Sequence, residues 1–246
     1  MLNLGFIKVG KHFPVFIHPI TKEEYALARK EKKNGLGHKN FKFIFNSNIT
    51  LTEDLYRRDI TINAIAKDNK GNYIDPYNGI YDIKNKIIKH ISKCFCEDPL
   101  RVLRVARFFA YLYDKEFIID NSTILLMKKI SNSGELSYLS LDRILKETYK
   151  ALNTNYPECY FYSLLITNAL FIIFPEFKSL INYNYNINIK IFFKIIRKTK
   201  KIFISPNLKL LHILYEINKL FIYNNKDNFR KIILNFIKRL NYKKKY

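Results

Sequence analysis

Cysteine is scarce: three in 246 residues, two of them in the run Cys94-Phe95-Cys96. That is neither a disulfide framework nor a zinc pattern, which would need two closely spaced pairs or added histidine ligands, and it fits a reducing cytoplasm. Long apolar runs are missing as well. The chain opens MLNLGFIKVG without an apolar signal core, and its greasiest stretch, residues 164–174, is interrupted by Thr167 and Asn168 before Pro175-Glu176. A membrane span needs roughly 20 apolar residues, so no membrane partner is expected. Glycine is sparse too. Gly35 and Gly37 lack a third glycine three residues on and a following helix signal, which excludes a dinucleotide fingerprint. No fixed-period repeat is present. His12, His18, His38, His90 and His212 are scattered, with no nucleophile–base arrangement among them. What is not lacking is core material, since 48% of the residues are hydrophobic and 15% aromatic, which excludes wholesale disorder.

Acidic residues are few, 21 against 43 basic ones, for a formal charge of +22. The excess is uneven: residues 1–154 carry a net +9 and the shorter stretch 155–246 carries +13. A field of this sign concentrates polyanions, and phosphate backbones are the commonest of these in a cytoplasm. The bland reading, compositional drift in a chain saturated with Ile, Lys, Asn, Phe and Tyr, stands beside it for the tail. Drift does not account for arginine. Only 10 of the 43 basic residues are Arg, yet seven of them (Arg29, Arg57, Arg58, Arg101, Arg104, Arg107 and Arg143) lie in the first 154 residues. A guanidinium offers a planar, bidentate fork where an ammonium offers a point charge, so these positions mark where geometry matters beyond charge.

Short alternating runs at residues 6–9, 15–18 and 24–28 predict neighbouring β-strands. Residues 30–48, basic and without sustained periodicity, read as a loop, and residues 52–66 read as a helix. Asp75-Pro76-Tyr77-Asn78-Gly79 is a turn by composition. Asp98-Pro99 opens a strong helix to about Tyr113, with Asp98 as its cap. Helices then follow at residues 122–130, 141–152 and 160–173; beyond Pro175 the pattern blurs, though residues 208–220 and 227–240 look amphipathic. The expected fold is α+β: a β-containing head over residues 1–90, an all-helical neck and body over 91–176, and a basic helical tail over 177–246.

The helix after Asp98 carries the sharpest signal. Asp98, Arg101, Arg104 and Arg107 recur every third residue, while Val102, Leu103, Val105, Ala106 and Phe109 supply packing. Like charges at that spacing repel by a few tenths of a kcal/mol per pair, so a bound anion such as a triphosphate relieves them. A solvated basic face with Asp98 acting only as a cap explains the periodicity equally well. Beyond that, an ionised carboxylate only accepts and a guanidinium only donates. Asp98 beside Arg101 therefore suits a base edge that places an exocyclic amino group next to an unprotonated ring nitrogen, as cytosine and adenine do. Guanine and uracil present a carbonyl beside a ring N–H, and each mismatch costs on the order of 1–3 kcal/mol.

The stretches VGKHFPVFIHP, EEYALARKEKK, LYRRDITINAIAKD, YIDPYNGIYDIKNKIIKHIS, EDPLRVLRVARF and LDRILKETYKAL run in order from Met1 to about Glu176. As a set they resemble the class II tRNA nucleotidyltransferases, the CCA-adding enzymes, especially the bacterial multifunctional type. The resemblance implies that Asp98 and Arg101 read the incoming base, that Arg58, Arg104 and Arg107 contact the nucleotide, that Asp59 senses the ribose, and that the body helices grip tRNA. The partners implied are tRNA, ATP and CTP. The Arg143–Glu147 segment matches a further family motif, which an i,i+4 pair explains equally well.

Two family signatures are missing from these 246 residues: the GGxVRD phosphate-gripping turn and the DxD pair that binds magnesium. Two-metal phosphoryl transfer needs carboxylates that hold ions about 3.5–4 Å apart. The expected cofactor is Mg²⁺, with its main ligands outside this chain, in a truncated or split enzyme completed by an upstream or separately encoded segment. Glu24 is the candidate third carboxylate; an ordinary exposed strand residue is the alternative. No His-Asp dipeptide occurs, so the phosphohydrolase domain of some relatives is not expected. Two other readings stay open: a poly(A) polymerase or an A-only or CC-only adding enzyme, and a catalytically inactive tRNA-binding remnant.

Overall fold

The computed structural model describes residues 1–9, 15–33, 41–44, 48–181, 185–202, 205–221 and 234–238. Strands β1 (Ile7–Val9), β2 (Val15–Ile17) and β3 (Glu24–Ala26) form an antiparallel sheet in which Phe16 lies opposite both Lys8 and Tyr25. None of its nine strand residues is fully buried. The expected loop at residues 30–48 is corrected in part: β4 (Lys30–Lys33) and β5 (Phe41–Ile44) pair antiparallel, while residues 34–40 and 45–47 lie outside the described residues. A KEKK strand carries no apolar alternation to betray such pairing.

The expected helix over 52–66 is shorter. Helix α1 (Leu51–Tyr56) starts on a capping box, Thr50 with Glu53, and stops at Arg57. Beyond it Asp59 diverts the backbone. Its Oδ1 accepts from the Ile60 N–H and from Asn63, Ile60 turns extended and bridges to His90, and residues Thr61–Asn63 form a single 3₁₀ turn. A two-residue ladder, β6 (Ala66–Lys67) with β7 (Tyr73–Ile74), leads to the predicted turn and α2 (Gly79–Lys84).

That turn explains its own residues. The Asp75 carboxylate accepts from the Gly79 and Ile80 N–H groups at 2.7 and 2.8 Å, satisfying the start of α2. A Cβ on Gly79 would sit 2.4 Å from the Thr61 carbonyl oxygen, so no other residue fits. Buried Thr61 Oγ1 donates to Asp82 Oδ2 at 2.6 Å.

Strand β8 (Ile87–Ile88) then passes, through a 3₁₀ turn at Lys93–Glu97, into α3 (Leu100–Leu112), and β9 (Ile118–Ile119) returns parallel to β8. Asp98 Oδ1 accepts the Leu100 N–H at 3.0 Å, but α3 starts at Leu100 with Pro99 rather than Asp98 at its cap position, one residue later than expected. Helices α4 (Asn121–Asn132), α5 (Leu141–Leu152), α6 (Pro157–Ile166) and α7 (Leu170–Ile173) follow. The helix expected over 160–173 is thus two. Thr167 turns its hydroxyl back to the Ser163 carbonyl, and Asn168 takes a left-handed φ of 61°, which reverses the chain.

The tail holds α8 (Tyr185–Ile202), which the blurred pattern hid, and α9 (Pro206–Phe221), which covers the amphipathic stretch at 208–220. Of the stretch at 227–240 only residues 234–238 are described, and they are helical. The core sits around α3, whose Val102, Leu103, Val105, Ala106 and Ala110 are fully buried and which packs chiefly on α5 and α6. Phe161, Phe174, Phe177 and Phe192 extend it toward α8, with ring centroids 5.2–6.1 Å apart. The fold is α+β, a head of small sheets followed by a helical body. Among the described residues no helix is long and apolar enough to cross a membrane.

Candidate functional site

A cavity of about 750 Å³ opens where α3 begins, between β3, the end of α1 and the start of α5. Six of the ten arginines line it (Arg29, Arg57, Arg58, Arg101, Arg104 and Arg143), together with Glu24, Asp59 and Asp98, and among the described residues no lysine does. The arginine count of the sequence pointed here. Arg29, Arg57 and Arg143 belong to that set although no role was expected of the first two.

Asp98 and Arg101 stand side by side on the cavity wall, each held from behind. Arg101 is buried, and its guanidinium donates to two backbone carbonyls, Cys94 at 2.6 Å and Arg57. Two donors are spent, leaving three of the five N–H groups. Asp98 keeps Oδ1 on the helix start and receives Arg143 Nη2 on Oδ2 at 2.8 Å. The Arg143 Nη1 is buried without a hydrogen-bond partner. Arg143 therefore faces α3 rather than its i,i+4 neighbour Glu147, and Glu147 reaches across to Arg107 Nε at 2.6 Å.

Arg107, expected to touch the nucleotide, is not on the cavity wall. Its guanidinium is largely buried in that pair with Glu147 and lies 4.0 Å from the centroid of the Phe108 ring. The physical reason is the helical step: three residues advance about 300°, so a ridge repeating every third residue drifts off one face within three turns.

Asp59 is nearly buried and accepts from Arg104 Nε at 2.6 Å, from Asn63 and from the Ile60 N–H. Burial alone pushes its carboxyl up; the charge of Arg104 and these three hydrogen bonds outweigh it, and the carboxyl stays below the usual carboxylate range. Asp54 behaves alike. Burial raises it, but hydrogen bonding and charge from Arg57, the Arg29 N–H and the Arg58 charge bring it below the ordinary value. Arg58, the most exposed of the cluster, donates Nη1 to the Asn63 carbonyl and lies 3.5 Å from Asp54. Arg58 and Asp59, adjacent in sequence, thus take different partners.

Nucleotidyltransferases of this kind use a divalent metal. The residues here do not fit one: among the described residues no group of three His, Cys, Asp or Glu side chains could hold a metal ion. Glu24 sits on the exposed strand β3 at the cavity rim, while Asp59 and Asp98 already receive guanidinium groups. Burial, then the charge of Glu158, pushes the Cys159 thiol up to about 12, and burial raises Cys94.

Residues 6–89 match the poly A polymerase head domain family. The chain is 54% identical over 176 residues to a CCA-adding enzyme of Buchnera aphidicola subsp. Baizongia pistaciae, covering 72% of this chain and 42% of that protein. It is 54% identical over 180 residues to a multifunctional CCA protein of Mannheimia succiniciproducens, covering 73% and 43%. In three dimensions it matches an apo CCA-adding enzyme with a TM-score of 0.66 at 24% identity, over 93% of this chain and 52% of that one. The same fold recurs in a CCA-adding enzyme solved with CTP (TM-score 0.61, 22% identity, 94% and 51%) and in the Thermotoga maritima enzyme solved with tRNA (0.59, 20%, 94% and 51%). Residues 6–89 thus carry the poly(A) polymerase type of head, and in sequence and fold the chain is similar to the CCA-adding tRNA nucleotidyltransferases; it spans less than half the length of the curated relatives it matches.

Proposed function

We propose that this chain carries the nucleotide-selecting part of an enzyme that transfers CMP and AMP from CTP and ATP to the 3′ end of tRNA. The observation that carries it is the pairing of Asp98 and Arg101 on one wall of an arginine-lined cavity. Arg101, pinned by two carbonyls, cannot swing to follow a mismatched base, so its remaining donors meet only an edge with a ring acceptor. Asp98 accepts the exocyclic amino group beside it. Arg58 and Arg104 meet triphosphate charge, with Arg29 and Arg57 added to the set. Asp59 orients Arg104 as well as facing the sugar. Arg107 supports α3 from the far side, through Glu147. The helical body and the basic tail grip tRNA, in a division of head 1–90, neck and body 91–176 and tail 177–246.

The setting proposed is cytoplasmic and the ion Mg²⁺, held by carboxylates other than those described. Asp98→Ala with Arg101→Ala tests the reading. Titration of CTP, ATP, UTP and GTP should show a C/A preference lost in the double variant; an unchanged preference sinks protein-templated selection. A second reading is a binding remnant, since among the described residues no carboxylate cluster is present. That reading predicts salt-sensitive tRNA binding with no incorporation of CTP or ATP when magnesium is supplied.

A further inference from the structure

A second concave region lies between the body helices and α8 of the tail, away from the arginine cavity. Two adjoining cavities, of about 300 and 420 Å³, share Tyr113, Glu158 and Arg197 as common wall. Such volumes lie in or near the range of small-molecule sites, roughly 300–1,000 Å³. Phe109, Tyr162 and Phe193 complete the aromatic lining of the smaller cavity. Lys200 and Lys201 stand at the larger one. Phe109 is eleven residues along from Asp98, about 16 Å by helical rise, so α3 runs between the two sites.

Two polar groups in this wall are only half used. Glu158 is nine-tenths buried; its Oε1 accepts from Arg197 Nε at 2.7 Å, and its Oε2 has no hydrogen-bond partner. Arg197 keeps 70% of its side chain exposed and spends only Nε on that bond, which leaves its outer N–H groups to solvent. A buried acceptor needs a donor, an exposed fork suits a phosphate, and aromatic rings between them offer stacking surface.

We propose that this double cavity binds a nucleotide with an amino-bearing base, the ring against Tyr113, Tyr162 and Phe193, the amino group toward Glu158, and the phosphate at Arg197 and Lys201. Uracil is the disfavoured base, because its only ring N–H is flanked by two carbonyls that would face the carboxylate. The nucleotide comes either from an RNA strand crossing the body or from free nucleotide, and the two sources separate by experiment. The inference does not depend on how the first cavity is used.

Fluorescence anisotropy with labelled hexamers of C, A and U tests it, in the full chain carrying Arg104→Ala so that the first cavity is weakened. Arg197→Ala and Tyr162→Ala, both at exposed side chains, should each weaken the C and A hexamers about tenfold, and the U hexamer should bind less tightly from the start. Competition by CMP at concentrations similar to those of the unlabelled hexamer assigns the site to free nucleotide; competition by hexamer alone assigns it to RNA. Unchanged affinity in both variants, or a U hexamer that binds as tightly as the C hexamer, overturns the proposal. A failure of CTP selection at Asp98 and Arg101 leaves these readouts untouched.

Discussion

The head's first sheet and the helices around α3 treat their apolar side chains in opposite ways. In β1–β3 every strand residue keeps some exposure, and Leu2, Leu4, Ile7, Ile20 and Leu27 are more than half exposed. In α3 and α6 Val102, Leu103, Tyr160, Phe161 and Leu164 are at 0%, although Tyr111 and Tyr162 stay exposed. Burial of such side chains contributes about 1.5–3 kcal/mol each, so the body supports itself while the sheet draws little from its own chain. Local opening should follow that gradient, lowest at the sheet and highest at α3 and α6. The arginine cavity lies across the join, with β3 on one side and α3 on the other.

The largest effect expected is in the core. Phe161→Ala removes a ring packed on Phe174, Phe177 and Phe192 and should cost about 3–5 kcal/mol in urea unfolding. Next comes Glu147→Gln, which leaves the largely buried Arg107 without its carboxylate and should cost about 2–4 kcal/mol. If Arg107 instead serves the nucleotide directly, this variant will lose CTP affinity with little loss of stability. That result would break the division drawn here between cavity wall and support.

A pH series sharpens the comparison further. Asp54 and Asp59 have carboxyls held below their ordinary value in the fold, so their contribution is fully present above the unfolded aspartate pKa near 3.9 and is lost as pH falls through the lower folded values. Thermal melts from pH 6 to 3 should show that loss, and Asp59→Asn should flatten it. The smallest effect belongs to the sheet. Ile7→Ala, at a residue 52% exposed, should change stability by no more than about 0.5 kcal/mol. A larger loss would mean that the sheet is covered in solution.

Much of the helical body was legible. The pattern at 141–152 matches α5 to the residue, and Asp98-Pro99 marks the start of α3, because caps and a 3.6-residue apolar period are local signals. The hairpin β4–β5, the break after α1 and the division between α6 and α7 were not. In each the deciding contact is a partner strand or a side chain turned onto backbone, Asp59 onto Ile60 and Thr167 onto Ser163. The site divides in the same way. Arg58, Asp59, Asp98, Arg101 and Arg104, which line the cavity, lie in recognisable motifs, and arginine usage alone marks Arg29, Arg57 and Arg143. The resemblance assigned Arg107 to the nucleotide; in the structure its guanidinium pairs with Glu147, because a ridge of every third residue leaves the cavity wall by its last step.

From its residue types in order, the chain determined its basic character, its helical body and the acid and guanidinium that stand together at the head of α3. Tertiary structure decided how those groups are used: which carbonyls pin Arg101, that Arg143 rather than solvent meets Asp98, and that Arg107 turns to Glu147. The reason is distance along the chain. Arg101 is held by Arg57, Asp98 by Arg143 and Arg107 by Glu147, over separations of 44, 45 and 40 residues; packing of the head against α3 brings the first pair within hydrogen-bond reach, and packing of α5 against α3 brings the other two.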